Sequence, residues 1–67
     1  MRLSPKKVQI LTLVAKGFTD KEISQKLQIS ERTVQTHLSS VILALNARNR
    51  VNAVALYKHY HPRWDVL

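Results

Sequence analysis

The sequence predicts an all-α fold of four helices, and three observations lead to it. Apolar residues make up 45% of the 67 residues, with a single glycine, so the composition is that of a folded helical chain and not of a disordered basic tail. Those apolar residues recur at three- and four-residue spacing, which is the period of a helix face. Each periodic stretch is also bracketed by residues that start or stop helices.

The first helix opens at Ser4-Pro5, where Ser caps the exposed N–H groups and Pro at the first position loses no hydrogen bond. Val8, Leu11, Val14 and Ala15 form its inner face, Lys6, Lys7 and Lys16 lie elsewhere, and Gly17 stops it. Thr19-Asp20-Lys21-Glu22 has the form of a capping box and opens a second helix, with Ile23 and Leu27 inward. Gln28-Ile29 breaks that pattern and leaves room only for a tight turn before Ser30 caps a third helix. Val34, Leu38, Val41, Ile42 and Leu45 run as one stripe along it, and Asn46 suits the left-handed conformation that ends a helix. Asn49 caps a fourth helix, which runs to Tyr60 before Pro62 forbids continuation. These boundaries give one domain over residues 1–67, with a core at 3–60 and a loosely held tail at 61–67 in which Trp64 is able to pack back.

Length and composition exclude several functions. A chain of this size buries too little surface to shape a deep catalytic pocket. No cysteine is present to form a disulfide or thiolate metal site, and His59 and His61, two apart, do not converge on one helix face. No Ser/His/acid set, paired acid or glycine-rich phosphate loop stands out, so no catalytic residue, metal or cofactor is expected. No apolar run approaches the roughly 18 residues of a membrane span, and the N-terminus lacks a signal peptide's apolar stretch. A cytoplasmic protein without a membrane partner is the expectation. Eleven Lys and Arg against four Asp and Glu leave a net charge of +7, which calls for an anionic partner, nucleic acid first. The cations never form a run longer than two, as expected of charges placed on a scaffold.

A short helix, a tight turn and a longer helix with a polar outer face is the sequence form of a helix-turn-helix, whose second helix enters the DNA major groove. Opposite the apolar stripe, the third helix carries Arg32, Thr36, Ser39 and Leu43, with Thr33, Gln35 and Ser40 beside them. A merely solvated helix would carry Glu and Lys pairs, whereas these residues hydrogen-bond bases and phosphates without blocking a groove. The competing reading is a module that docks on a protein such as RNA polymerase, which Leu43 on the outer face favours.

The ordered string Gly17, Thr19, Lys21-Glu22-Ile23, Ser30, Thr33-Val34, His37 and Asn49-Arg50, with Leu3-Ser4, Ile10-Leu11, Ala15-Lys16 and Leu45 around it, resembles the LuxR/FixJ-type (GerE-like) helix-turn-helix domain over residues 3–57. The resemblance implies the output module of a bacterial transcription regulator, with the third helix in the major groove and the fourth making a homodimer. It departs from the family pattern at Lys6-Lys7, Gln9, Gln35 and Ala44. Gln35 stands where the family often has a cation, and its amide can read adenine through N6 and N7.

The expected DNA-binding set is therefore Thr19, Lys21, Arg32, Thr33, Gln35, Thr36, His37, Ser39, Ser40 and Arg50. Lys21 sits beside the N–H groups of the second helix, and the resemblance places Lys21, Arg32 and Arg50 at phosphates. His37 has no carboxylate near it in the pattern, which suits a structural or phosphate-facing role better than a catalytic one. The fourth helix carries two apolar stripes. Val51, Val54 and Ala55 are expected to pack on the other helices, and Ala53, Leu56 and Tyr60, with Tyr57 alongside, to form the dimer interface.

Overall fold

A computed structural model describes residues 2–65; Met1, Val66 and Leu67 lie outside the described residues, and with them the last two positions of the expected tail. Four helices follow in order: α1 (Pro5–Ala15), α2 (Asp20–Leu27), α3 (Glu31–Ala44) and α4 (Arg50–Tyr60). Among the described residues there is no strand, so the all-α expectation holds.

Every helix begins on a side-chain cap of the type the sequence announces. Ser4, Thr19, Ser30 and Asn49 each hold extended backbone and accept a hydrogen bond from the N–H three residues on. At Thr19 the box is complete: Thr19 Oγ1 accepts from Glu22 N at 3.2 Å, and Glu22 Oε1 accepts from Thr19 N at 2.9 Å. The three helix ends share a second device. Gly17, Gln28 and Asn46 have φ of 95°, 56° and 54°, the left-handed region, and the apolar residue after each donates its N–H to a carbonyl five residues back. These bonds are Phe18 to Leu13, Ile29 to Ser24 and Ala47 to Ile42, at 3.1, 3.0 and 2.9 Å. Phe18, Ile29 and Ala47 then fold against the core as the hydrophobic contact of each helix end.

α3 lies against all three other helices. Its Val34, Leu38 and Val41, with Leu45 at its C-cap, are buried with Ile10 and Leu11 of α1, Ile23 of α2, Ala53 and Tyr57 of α4, and Leu3. Two ties fasten α4. At its start, the Arg50 guanidinium takes the Asp20 carboxylate at both branches, 2.6 and 3.1 Å. At its end, Tyr57 stacks on His61 at 4.3 Å and meets Trp64 edge-on at 4.8 Å. Trp64 Nε1 donates to Thr12 Oγ1 at 2.9 Å, and Lys58 Nζ donates to the Pro62 and Trp64 carbonyls at 2.7 Å each. Residues 61–65 are thus fastened along the α1–α4 seam, where a loosely held tail was expected.

The rotation of α4 corrects the expected roles of its two stripes. Ala53 and Tyr57 are buried in the core and Leu56 is packed against it, so Ala53 and Tyr57 are closed to a second molecule. Val51, expected inside, is 76% exposed. Ala55 is exposed too, and Val54 lies half-buried at the flank. Tyr60 points along the inner stripe but stands beyond the end of the core, at 55% exposure. The physical reason is that the Tyr57 ring has the most surface to remove from water and finds Trp64 and His61 as partners. The Arg50–Asp20 pair fixes the same rotation from the other end of the helix.

The Arg50 hydrogen bonds hold Asp20 below the usual carboxylate range despite its partial burial, and the Thr19 hydrogen bonds do the same for Glu22. A carboxylate with a lowered folded-state pKa stabilises the fold fully above its unfolded value, about 4, and loses that effect as pH falls through the folded value. The melting temperature followed by circular dichroism is expected to hold between pH 7 and 5 and to drop below about pH 4, with Asp20→Asn flattening part of the drop. Leu38→Ala removes a buried side chain at the α3 centre and is expected to cost about 2–5 kcal/mol in denaturant unfolding. Thr12→Val leaves the indole N–H of the single tryptophan without its acceptor and is expected to cost about 1 kcal/mol, with the Trp64 emission as the readout.

Candidate nucleic-acid interface

The outer face of α3 is built by subtraction, since the stripe from Val34 to Leu45 turns inward and the opposite row has nothing to cover it. Arg32, Gln35, Thr36, Ser39 and Ser40 are all exposed along that row, and Leu43, 82% exposed, closes it at the C-terminal end. The chain thereby presents one cation, one amide and three hydroxyls on a helix of 14 residues. Thr33 and His37 sit at the flank, half-buried. The Thr33 hydroxyl lies 2.9 Å from Ser30 Oγ, which also accepts from Thr33 N at 3.0 Å, so this residue serves the α3 cap.

The second part of the surface is the start of α2. Thr19 and Lys21 are exposed there, with the Thr19 hydroxyl and Glu22 carboxylate engaged in the capping box. Lys21 is exposed in the first turn of α2, at the positive end of that helix's dipole. Arg50 is different. Expected as a cation for phosphate, it is bound in two-point fashion to Asp20, with 39% of its side chain still exposed against 17% for Asp20. The mutual pairing raises the Arg50 pKa as it lowers that of Asp20.

The sequence pattern placed Lys21, Arg32, Gln35, Thr36, Ser39 and Ser40 on the surface, and all are exposed. It missed Asp20, read only as an acid in a first turn. One signal could have singled it out: with four acids among eleven cations, each carboxylate is a scarce partner. Among the described residues no group of three or more His, Cys, Asp or Glu could hold a metal ion. No helix among them is long and apolar enough to cross a membrane. An open hollow of about 330 Å³ between the end of α1 and the start of α4 is lined by Val14, Phe18, Arg50, Val51 and Val54.

The GerE family, described as bacterial regulatory proteins of the luxR family, matches residues 1–57. The transcriptional regulatory protein LiaR of Bacillus subtilis (strain 168) is 39% identical over 57 residues, which cover 85% of this chain and 26% of LiaR. The response regulator protein VraR of Staphylococcus aureus (strain Mu3 / ATCC 700698) is 36% identical over 59 residues, 88% of this chain and 28% of VraR. VraR of Staphylococcus epidermidis has the same identity and coverage. The chain spans about a quarter of the length of these curated relatives. Four capped helices with a polar α3 face, matched from residue 1 to residue 57, place this chain in the luxR family of bacterial regulatory proteins, as that family's helix-turn-helix domain.

Proposed function

We propose that this domain binds duplex DNA sequence-specifically, with α3 in the major groove, as the output module of a bacterial transcription regulator. The single observation that carries the reading is the outer row of α3, where Arg32, Gln35, Thr36, Ser39 and Ser40 are exposed together on a helix backed by the core. A major groove about 12 Å wide admits a helix whose facing side chains are short and polar, and base edges there offer donors and acceptors to amides and guanidinium groups. Lys21, at the exposed start of α2, and Arg32 supply the phosphate contacts that set the register. Thr19 and Ser40 flank them with further polar groups. Thr33 and His37 support the α3 flank, and Arg50 acts through its pair with Asp20.

The homodimer belongs to the same reading, through a different face of α4 from the one expected. Val51 and Ala55 form the outward stripe, and a second copy of the chain pairing there places two α3 helices on half-sites about one helical turn apart. The names of the relatives describe a transcriptional regulatory protein and response regulators. By that likeness the domain is the part of such a regulator that reads the operator.

Three measurements test this. With Lys21 and Arg32 of two protomers on about four phosphates, the slope of log affinity against log salt is expected near −4, at about −0.9 per phosphate. Affinity unchanged between low and physiological salt would remove the DNA reading. Gln35→Ala is expected to cost about 1–3 kcal/mol on the preferred site and much less on random duplex, whereas Lys21→Ala weakens both alike. Val51→Asp is expected to abolish cooperative occupation of paired half-sites while leaving helical content and single half-site binding unchanged, and cooperativity that survived it would place the interface elsewhere.

A further inference from the structure

The hollow between the end of α1 and the start of α4 has no part in the contacts proposed for DNA. Val14, Phe18 and Val54 line it as half-buried side chains, and Val51 adds an exposed apolar one. Arg50 is the charged residue of this lining. Asp20 takes one N–H from each of its two terminal nitrogens, and a guanidinium has five, so three are left for another acceptor. The Arg50 side chain is 39% exposed, which keeps it within reach of a ligand. The Phe18 ring also carries the Lys26 ammonium, 4.6 Å from its centre. Over residues 16–26 and Arg50, four cations stand against two carboxylates, and the Glu22 carboxylate is engaged in its capping box. An apolar hollow in a basic surround is the result.

We propose that this hollow is a binding site for a small aromatic carboxylate, whose ring system lies against Phe18, Val14 and Val54 and whose carboxylate takes the Arg50 N–H groups that Asp20 leaves. Size, surface and charge each select that class. A volume of about 330 Å³ stands at the lower end of ligand sites, roughly 300–1,000 Å³, and holds a body of one or two rings. Phe18 and the valines offer flat apolar contact and no hydrogen bonds, so a sugar-like body would give up its water without replacement. A guanidinium matches a carboxylate, and an ammonium would meet the surrounding cations. Asp20 contributes by holding Arg50 at two points, so less side-chain freedom is lost when a ligand binds. Inorganic phosphate has the charge for Arg50 but no body to fill the hollow. The site adjoins Val51, on the face proposed for a second copy, yet binding to the free chain needs neither pairing nor DNA.

The test follows the backbone amide resonances of the isotope-labelled 67-residue chain, free of DNA, as indoleacetate is added at physiological salt, which screens the general attraction of a basic protein for anions. Saturable shifts are expected at Gly17, Phe18, Val51 and Val54, with a dissociation constant of about 1 mM or below, as a ligand of about a dozen heavy atoms reaches at ordinary efficiency. Indoleacetamide, the same body without the charge, is expected to bind at least about three-fold more weakly, and acetate or inorganic phosphate to give no saturation at these four residues. Val51→Trp fills the hollow from its exposed side and is expected to weaken indoleacetate at least about five-fold with unchanged circular dichroism. Arg50→Gln is expected to bring the acid and the amide to equal affinity, and the comparison of acid with amide on the unaltered chain carries the charge argument where that variant does not fold. Shifts that spread over the Lys and Arg residues without saturating, an amide that binds as tightly as the acid, or indoleacetate binding that Val51→Trp leaves unchanged each overturn the site. None of these results bears on whether α3 enters the major groove.

Discussion

The inward stripe of α3 is the surface on which the other three helices converge, and it constrains everything else in a chain with no disulfide. A 14-residue helix has two long faces. Val34, Leu38, Val41 and Leu45 commit one of them to the core, and the opposite face is consequently the best supported exposed surface of the molecule. Core and candidate interface are therefore one decision, made by the period of a single helix. Side chains on that outer row inherit the rigidity of the packing behind them, which is what a surface meant to match the edges of bases requires.

Most of the architecture was legible because it is encoded locally. Caps at Ser4, Thr19, Ser30 and Asn49 act through groups three residues away, and Gly17 and Asn46 announce their left-handed conformations by residue type. Gln28 adopts the same conformation without such a mark, held there by the bond from Ile29 to Ser24 and the burial of Ile29. Only the interruption of the apolar pattern betrayed it. The stripe of α3 was legible for a similar reason, since five apolar positions on one face leave no competing choice.

What was not legible depends on contacts between residues distant in sequence. α4 offers two apolar stripes of similar size, and pattern alone cannot choose between them. The choice was made by Tyr57 with Trp64, by Trp64 with Thr12, and by Arg50 with Asp20, pairs separated by up to 52 positions. The candidate site divides along the same line. Exposure of Arg32, Gln35, Thr36 and Ser39 follows from helix period, whereas the pairing of Asp20 with Arg50 follows from how α2 and α4 are set against the core. A strongly basic chain hides such meetings well, because cations are too many to be informative singly and the few acids look occupied by their own helix ends.

The connections between helices have a consequence of their own. They occupy residues 16–19, 28–30 and 45–49, and each contains a left-handed residue, an apolar anchor and a side-chain cap. None of the three has slack to absorb a rotation of one helix against the next. A force applied at α4 is therefore expected to reach α3 as a displacement of the whole body and not as a change in its shape. Control over such a unit has to act on where it is held and on how many copies are held together, as with a die whose face is cut once and whose only variables are place and number.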